Sequence, residues 1–497
     1  MRLRAAPLGA ALMAACLLMP ARAQLPTLGD PSDMAVSAER KLGERVAREL
    51  YRDPDYINDP VLDEYVLEIW TRLLAAARTR GELTSELDDR FAWQVLLGKD
   101  RVINAFAVPG GWMGLQLGLV NVTVTRDELA AVLAHELSHV TQRHISRLMT
   151  QQSRQAPMML AAIILGALAA GKSPDAANAV IAGGQALAMQ NQLNFSRDME
   201  READRVGYGV MTQAGFDAQG MVSMFEKLQQ SARLNDNGSF PYLRTHPMNT
   251  ERIAEAQSRQ QLQARAPAAP APDLVHSMMV GRSRVLSNPG MDGLRAYAAE
   301  ADGPQAAASD RWRQVGILYA AALASTKLRE PAAASRLVAR LQAATAGDAR
   351  ASRTAKLLAA ELALAAGDAT RAAGMIDPAD NHRPEVMLLS QARIQSGRAA
   401  DAAPRLQTWV ALHPRDAQAW QLLGAAYTAQ GQTLRAIRAE AEVQVAHLDY
   451  QAAMDRFKAA QDVARKSGGG GDHIEASIID TRARAVASLL REQALER

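Results

Sequence analysis

The stretch Ala134-His135-Glu136-Leu137-Ser138-His139-Val140 sets two imidazoles around a carboxylate at the H-E-x-x-H spacing, and that spacing has a chemical use only in a helix. Each helical residue turns about 100°, so His135 and His139 lie about 40° apart, one turn above the other, and both reach one metal ion. Glu136 projects beside that face, placed to take a proton from water rather than to serve as a third ligand. The flanking residues agree. Thr125-x-x-Glu128 fits a capping box, and Leu129, Val132, Leu133 and Val140 continue at helical spacing, which puts the motif in mid-helix. Zinc-dependent hydrolysis is the first hypothesis, and the fold must bring a further ligand to this helix.

Catalytic zinc usually has three protein ligands and one open position. The extended pattern H-E-x-x-H-x-x-G-x-x-H fails, because Gln142 and Ile145 stand where its glycine and third histidine belong. Sulfur ligation fails as well: Cys16 is the only cysteine, and it lies in a segment that reads as an export leader. A downstream carboxylate remains. Between Phe195 and Gly207, Glu200 and Asp204 are one helical turn apart, so Glu200 can bind metal while Asp204 orients a histidine from behind. Glu202 competes for the ligand role, but it points about 200° from Glu200, and a solvated face is its plainer reading. His144 stands roughly 140° around the helix from His139 and reads as structural or exposed.

A chain of 497 residues is too long for one ordinary core. Its 48% hydrophobic, 4% aromatic and alanine-rich composition predicts a mainly α protein. Arg2 and Arg4, an apolar run to Met19 and the small-x-small Ala21-Arg22-Ala23 predict a signal peptide over 1–23, with a lipidated Cys16 as the rival. The three arginines of that leader account for the whole formal charge of +3, so no basic field points to nucleic acid. Helical patterning runs from Asp33 to Thr79. Short strands are predicted over 91–97, 102–106 and 112–115, before the metal-motif helix. Met158 to Ala170 is apolar but shorter than the ~20 residues of a bilayer span. It reads as a buried or capping helix, with peripheral membrane contact as the sharper alternative; by connectivity the segment 150–190 is a lid over the cleft. Ala266-Pro267-Ala268-Ala269-Pro270-Ala271-Pro272 is linker-like. Beyond it, Trp420-x-x-Leu423-Gly424-x-x-Tyr427 with Ala436 fits the tetratricopeptide pattern, and Leu389, Gly397 and Ala402 recur 34 residues later at Leu423, Gly431 and Ala436. Roughly four stacked units and a closing helix near 479–495 are expected, because a single repeat cannot bury its own face.

His135-Glu136-x-x-His139 with Glu200-x-x-x-Asp204, preceded by Asn104-Ala105-Phe106-Ala107-x-Pro109-Gly110-Gly111, resembles the metallopeptidase family that includes the CAAX prenyl protease and HtpX. With a leader and C-terminal repeats, the chain is similar to the periplasmic branch of that family. The resemblance implies one Zn2+ per chain held by His135, His139 and Glu200, with Glu136 as general base and later proton donor. It implies an edge strand at Asn104, Ala105, Phe106 and Ala107 on which an extended substrate pairs by β-addition. His246, in Arg244-Thr245-His246-Pro247, has three readings: an oxyanion stabiliser, a fourth ligand that shuts the enzyme, or a loop histidine with neither role. The implied fold is a gluzincin-type α+β domain with a small β-sheet over 24–265, a linker and connecting helices over 266–310 and a tetratricopeptide-repeat α-solenoid over 311–497. The implied function is a periplasmic metalloendopeptidase acting on unfolded or misassembled proteins, with the outer-membrane barrel-assembly machinery as partner through the repeats. The rivals are a chaperone or scaffold with a latent metal site, and a membrane-associated protease.

Overall fold

The computed structural model describes residues 34–151, 197–234, 242, 245–248, 250–262, 273–287, 289–466 and 473–494. The leader, the apolar run 158–170 with its lid reading, and the Ala-Pro stretch at 266–272 lie outside the described residues.

The helical patterning of the front segment is divided between α1 (Val36–Arg52) and α2 (Pro60–Thr79). Pro54 and Pro60 explain the break. Pro60 supplies the first turn of α2, and the Asp59 carboxylate caps it by accepting from the Leu62 N–H at 2.9 Å. Between the two helices runs a short strand, β1 (Tyr56–Ile57). The other strands are β2 (Gln94–Gly98), β3 (Ala105–Val108) and β4 (Trp112–Gln116), in the order β1-β2-β4-β3. β2 runs parallel to β4, and the other pairs are antiparallel.

Two strands start later than their hydrophobic runs suggest. Trp93 has φ 51°, a left-handed conformation, and its indole donates to the Asp88 carbonyl while Trp70 donates to its own carbonyl; the extended run therefore begins at Gln94. At the second, the Val102 N–H goes to the Asp100 carboxylate, and pairing as a strand begins at Ala105. Asn104 thus precedes β3 rather than belonging to it, although its carbonyl accepts from Gln116 N–H at 3.0 Å.

The sheet supports α3 (Arg126–Thr141), which carries the metal motif, and α4 (His144–Gln151) follows after a sharp turn. Both halves of the Thr125–Glu128 capping box form at the start of α3. α5 (Arg197–Gln213) and α6 (Gln219–Leu234) pack on it, and α7 (Thr250–Leu262) packs against those two. Among the described residues no helix is long and apolar enough to cross a membrane.

From α8 (Leu274–Leu286) onward the described elements are all helices, and each repeat-region helix packs on the next: α9 (Arg311–Lys327), α10 (Pro331–Thr345), α11 (Ala349–Ala365), α12 (Ala369–Met375), α13 (Arg383–Gln395), α14 (Ala399–Leu412), α15 (Ala417–Ala429), α16 (Thr433–Ala446), α17 (Tyr450–Lys466) and α18 (His473–Ala494). One hydrophobic cluster runs from Val61 of α2 through α3 and α8 to Ala392 of α13. Buried polar contacts lock the same junction. Arg282 of α8 makes a bidentate pair with Asp59, the cap of α2, and reaches Tyr319 at 2.9 Å and Glu361 at 2.8 Å. Further along, Arg353 bridges Glu64 and Glu385, and Arg383 bridges Asp63 and Asp416. The far end returns to α1, where Tyr51 stacks on His447 at 4.9 Å and Arg52 pairs with Asp449 at 2.7 Å.

His276 of α8 is fully buried, with Tyr65 Oη 2.6 Å from Nδ1 and Thr123 Oγ1 3.2 Å from Nε2. Burial pushes its pKa down from 6.5 to about 4. A lowered histidine means that the unfolded chain binds the extra proton first, so this contribution is full above about pH 6.5 and is lost as the pH falls towards 4. The loss approaches roughly 3 kcal/mol. His276→Gln should therefore flatten the melting-temperature profile between pH 6.5 and 4 relative to wild type. Parallel profiles for the two proteins would contradict this role.

Candidate metal centre

α3 and α5 approach closely where Gly207 faces Ala134; a Cβ at Gly207 would lie 3.1 Å from the Ala134 carbonyl and the His135 nitrogen. That approach brings Glu200, nearly two turns earlier on α5, opposite the two histidines. His135 Nε2 and His139 Nε2 are 3.0 Å apart, and Glu200 lies 3.5 Å from the first and 3.4 Å from the second. His246 completes the cluster. Its Nδ1 is 3.3 Å from His135 Nε2 and 3.0 Å from Glu200 Oε1, with the ring stacked on Tyr242 at 4.7 Å. All four side chains are at most 3% exposed.

These residues fit a metal ion. Four donor atoms about 2.05 Å from a tetrahedral zinc are separated from one another by about 3.3 Å; His135 Nε2 lies 3.0 Å from His139 Nε2 and 3.3 Å from His246 Nδ1, and Glu200 Oε1 lies 3.4 Å from His139 Nε2 and 3.0 Å from His246 Nδ1, close to that value. The electrostatics favour a cation there. Burial pushes His139 well below the ordinary histidine range, leaving a neutral nitrogen donor. Against the pull of burial, Asp204 and Glu200 hold His135 up at about 10, so the pocket attracts positive charge, which a proton or a metal ion supplies. Burial would raise Glu200, but the facing imidazoles hold it well below the usual carboxylate range.

Asp204 lies one turn along α5 from Glu200, with Oδ1 2.9 Å from His135 Nδ1, the nitrogen that points away from the cluster. Arg252 of α7 had no signal in the sequence. It is 3% exposed, donates to both oxygens of Asp204 at 2.6 and 2.8 Å, and lies 2.8 Å from Glu200 Oε2. Glu202 lies away from the cluster, accepting from Arg147 at 2.8 Å and lying 3.1 Å from His144 Nε2. His144 is fully buried rather than exposed, with Nδ1 2.8 Å from His139 Nδ1. The cause is Arg143, whose φ of 51° ends α3 and turns the chain back; its guanidinium is tied to Glu39 of α1 at 2.9 Å.

Glu136 is fully buried beside the cluster. The Ala107 N–H of β3 donates to its Oε2 at 3.0 Å; its Oε1 lies 3.5 Å from His246 Nε2 and accepts no hydrogen bond among the described residues. Burial raises its pKa, which strengthens it as a base. Ala105, Phe106 and Ala107 lie on β3, a strand at one edge of the sheet, directly under the motif helix. The Ala107 N–H is directed to the base rather than to β4.

Residues 68–260 match the model of peptidase family M48, and residues 384–466 match that of the bacterial transcriptional activator domain, a likeness confined to α13–α17. A putative beta-barrel assembly-enhancing protease of Vibrio cholerae is 35% identical over 266 residues, 53% of this chain and 52% of that protein. The beta-barrel assembly-enhancing protease of Escherichia coli K12 is 34% identical over 237 residues, 47% of each chain. A mitochondrial metalloendopeptidase of Arabidopsis thaliana is 28% identical over 194 residues, 39% of this chain and 36% of that one. The matched segment spans about half the length of the bacterial relatives. The H-E-x-x-H helix and the buried carboxylate opposite it both fall inside the segment that is similar to peptidase family M48, so the likeness covers the whole candidate metal centre.

Proposed function

We propose that the protein is an exported, periplasmic zinc metalloendopeptidase that cleaves unfolded or misassembled proteins in outer-membrane β-barrel assembly. The observation that carries the enzymatic part is the convergence of His135, His139 and Glu200 beside a buried Glu136, one of whose carboxylate oxygens accepts no hydrogen bond among the described residues. The names of the bacterial relatives support the β-barrel context. The tetratricopeptide reading of 311–497 supports recruitment of the barrel-assembly machinery through the helical array.

In this reading His135, His139 and Glu200 hold the metal, and Asp204 fixes the ring of His135. Zinc bound there supplies Lewis acidity to water and to the scissile carbonyl. Glu136 Oε1 takes the proton of the attacking water and returns it to the leaving amine. The substrate lies extended along β3. The Ala107 N–H of that strand reaches Glu136, and an extended segment suits unfolded or loop substrates. The division proposed is a metallopeptidase domain over 24–265, a linker with connecting helices over 266–310, of which α8 is one, and repeats over 311–497.

His246 favours a second state of the same enzyme. Its Nδ1 sits among the ligand atoms while its Nε2 faces Glu136, so one imidazole caps both the metal position and the base. A latent scaffold has the same observation in its favour. Activity separates the two. Purified protein should fragment an unfolded model substrate, stop with a chelator and resume with added zinc, and His246→Ala should raise the rate several-fold. An unchanged or lower rate in His246→Ala removes the capping role, and no chelator-sensitive cleavage by either protein favours the scaffold.

A further inference from the structure

Each ligand histidine of α3 turns one nitrogen to the cluster and the other to a buried partner. His135 meets Asp204 directly, whereas His139 meets another histidine. Resting on the metal-site reading above, we propose that His144 and Glu202 are positioning residues that fix the tautomer and orientation of His139 through a two-step hydrogen-bond relay.

The geometry leaves one consistent arrangement of protons. His139 Nε2 points into the cluster, 3.0 Å from His135 Nε2 and 3.4 Å from Glu200 Oε1, so its lone pair faces the metal position. A neutral imidazole that offers Nε2 carries its proton on Nδ1. That N–H points at His144 Nδ1, 2.8 Å away, which must then be an acceptor. His144 in turn carries its proton on Nε2, 3.1 Å from Glu202 Oε2. The carboxylate at the end is held in place by Arg147 at 2.8 Å and remains partly open to solvent. Glu202, which cannot reach the metal, thus acts on it through two rings. His144 is held for this by the left-handed turn at Arg143 and that residue's pair with Glu39. The rings of His139 and His144 meet nearly edge to face, 76° apart, so a rotation of either breaks the contact.

Partners of this kind typically change metal affinity 10- to 100-fold. The test is competition of the full-length protein with a chromophoric chelator for zinc, together with the visible spectrum of the cobalt(II) form and melting of the metal-free protein. His144→Leu removes the acceptor and should weaken zinc binding 10- to 100-fold and change the cobalt spectrum. His144→Asn places an amide oxygen near the former Nδ1 and should stay within about three-fold of wild type, with the wild-type spectrum. Glu202→Leu, at a partly exposed position, covers the case in which His144→Leu does not fold: it leaves both rings in place and should weaken binding several-fold with metal-free melting unchanged. Wild-type affinity in His144→Leu, equal weakening in His144→Asn and His144→Leu, or no effect of Glu202→Leu would overturn the relay while leaving the metal site intact. Failure of wild type to bind zinc or cobalt would instead remove the metal-site reading itself.

Discussion

Glu136→Gln should lower the rate of peptide cleavage by about 10²- to 10⁴-fold, the usual contribution of a placed general base, while leaving the fold and the metal content unchanged. Glutamine has the same shape, and its amide oxygen still accepts the Ala107 N–H that now goes to Oε2. What it lacks is the second basic oxygen, the one that faces the cluster and accepts no hydrogen bond among the described residues. The loss should fall on kcat rather than on KM, because the proton is moved only as the carbonyl is attacked. Full activity in Glu136→Gln, measured with the same unfolded substrate and the same zinc content, would show that the base is elsewhere.

Arg252→Met should be the most destabilising substitution near the site, and the size of its effect should depend on zinc. The guanidinium is the buried countercharge for both Asp204 and Glu200, and it packs over Phe225 at 5.1 Å. Methionine replaces much of the packing and none of the charge. Removing one partner of such a buried group costs about 3–5 kcal/mol, because the remaining carboxylates stay desolvated. In a chelator, urea unfolding should reveal a loss of that order. With saturating zinc the divalent ion neutralises Glu200 and stabilises the folded state by mass action, so the loss should shrink. A loss below about 1 kcal/mol in the chelator would mean that the two carboxylates do not depend on Arg252.

Much of this site is legible in the sequence because it is helical and local. The spacing of His135, Glu136 and His139, the capping box at Thr125, and the one-turn interval between Glu200 and Asp204 are all properties of a single helix each, and periodicity reads such properties directly. What joins helices is not legible in that way. Arg252 reaches Asp204 from 48 residues away with no motif of its own. His144 looks remote only if the helix continues. The register is broken by Arg143 in a left-handed conformation, which no glycine or asparagine announces. Trp93 delays β2 for a similar reason: two indole hydrogen bonds made in the tertiary structure hold it out of extended geometry. The interval from 266 to 310 reads as a linker with connecting helices, but composition does not announce that α8 supplies the buried His276 and Arg282, which pair with Tyr65 and Asp59. Long-range pairing of buried polar groups decides each of these, and the order of residues along the chain carries little trace of it.

The central claim, that two histidines of α3 and Glu200 of α5 form one zinc site, is tested most directly by elemental analysis of the purified full-length protein. Wild type and Glu136→Gln should each hold one zinc per chain, and Glu200→Gln, with its fold checked by circular dichroism, should lose most of it. Full zinc occupancy in folded Glu200→Gln, or none in wild type purified with zinc present, would contradict the account.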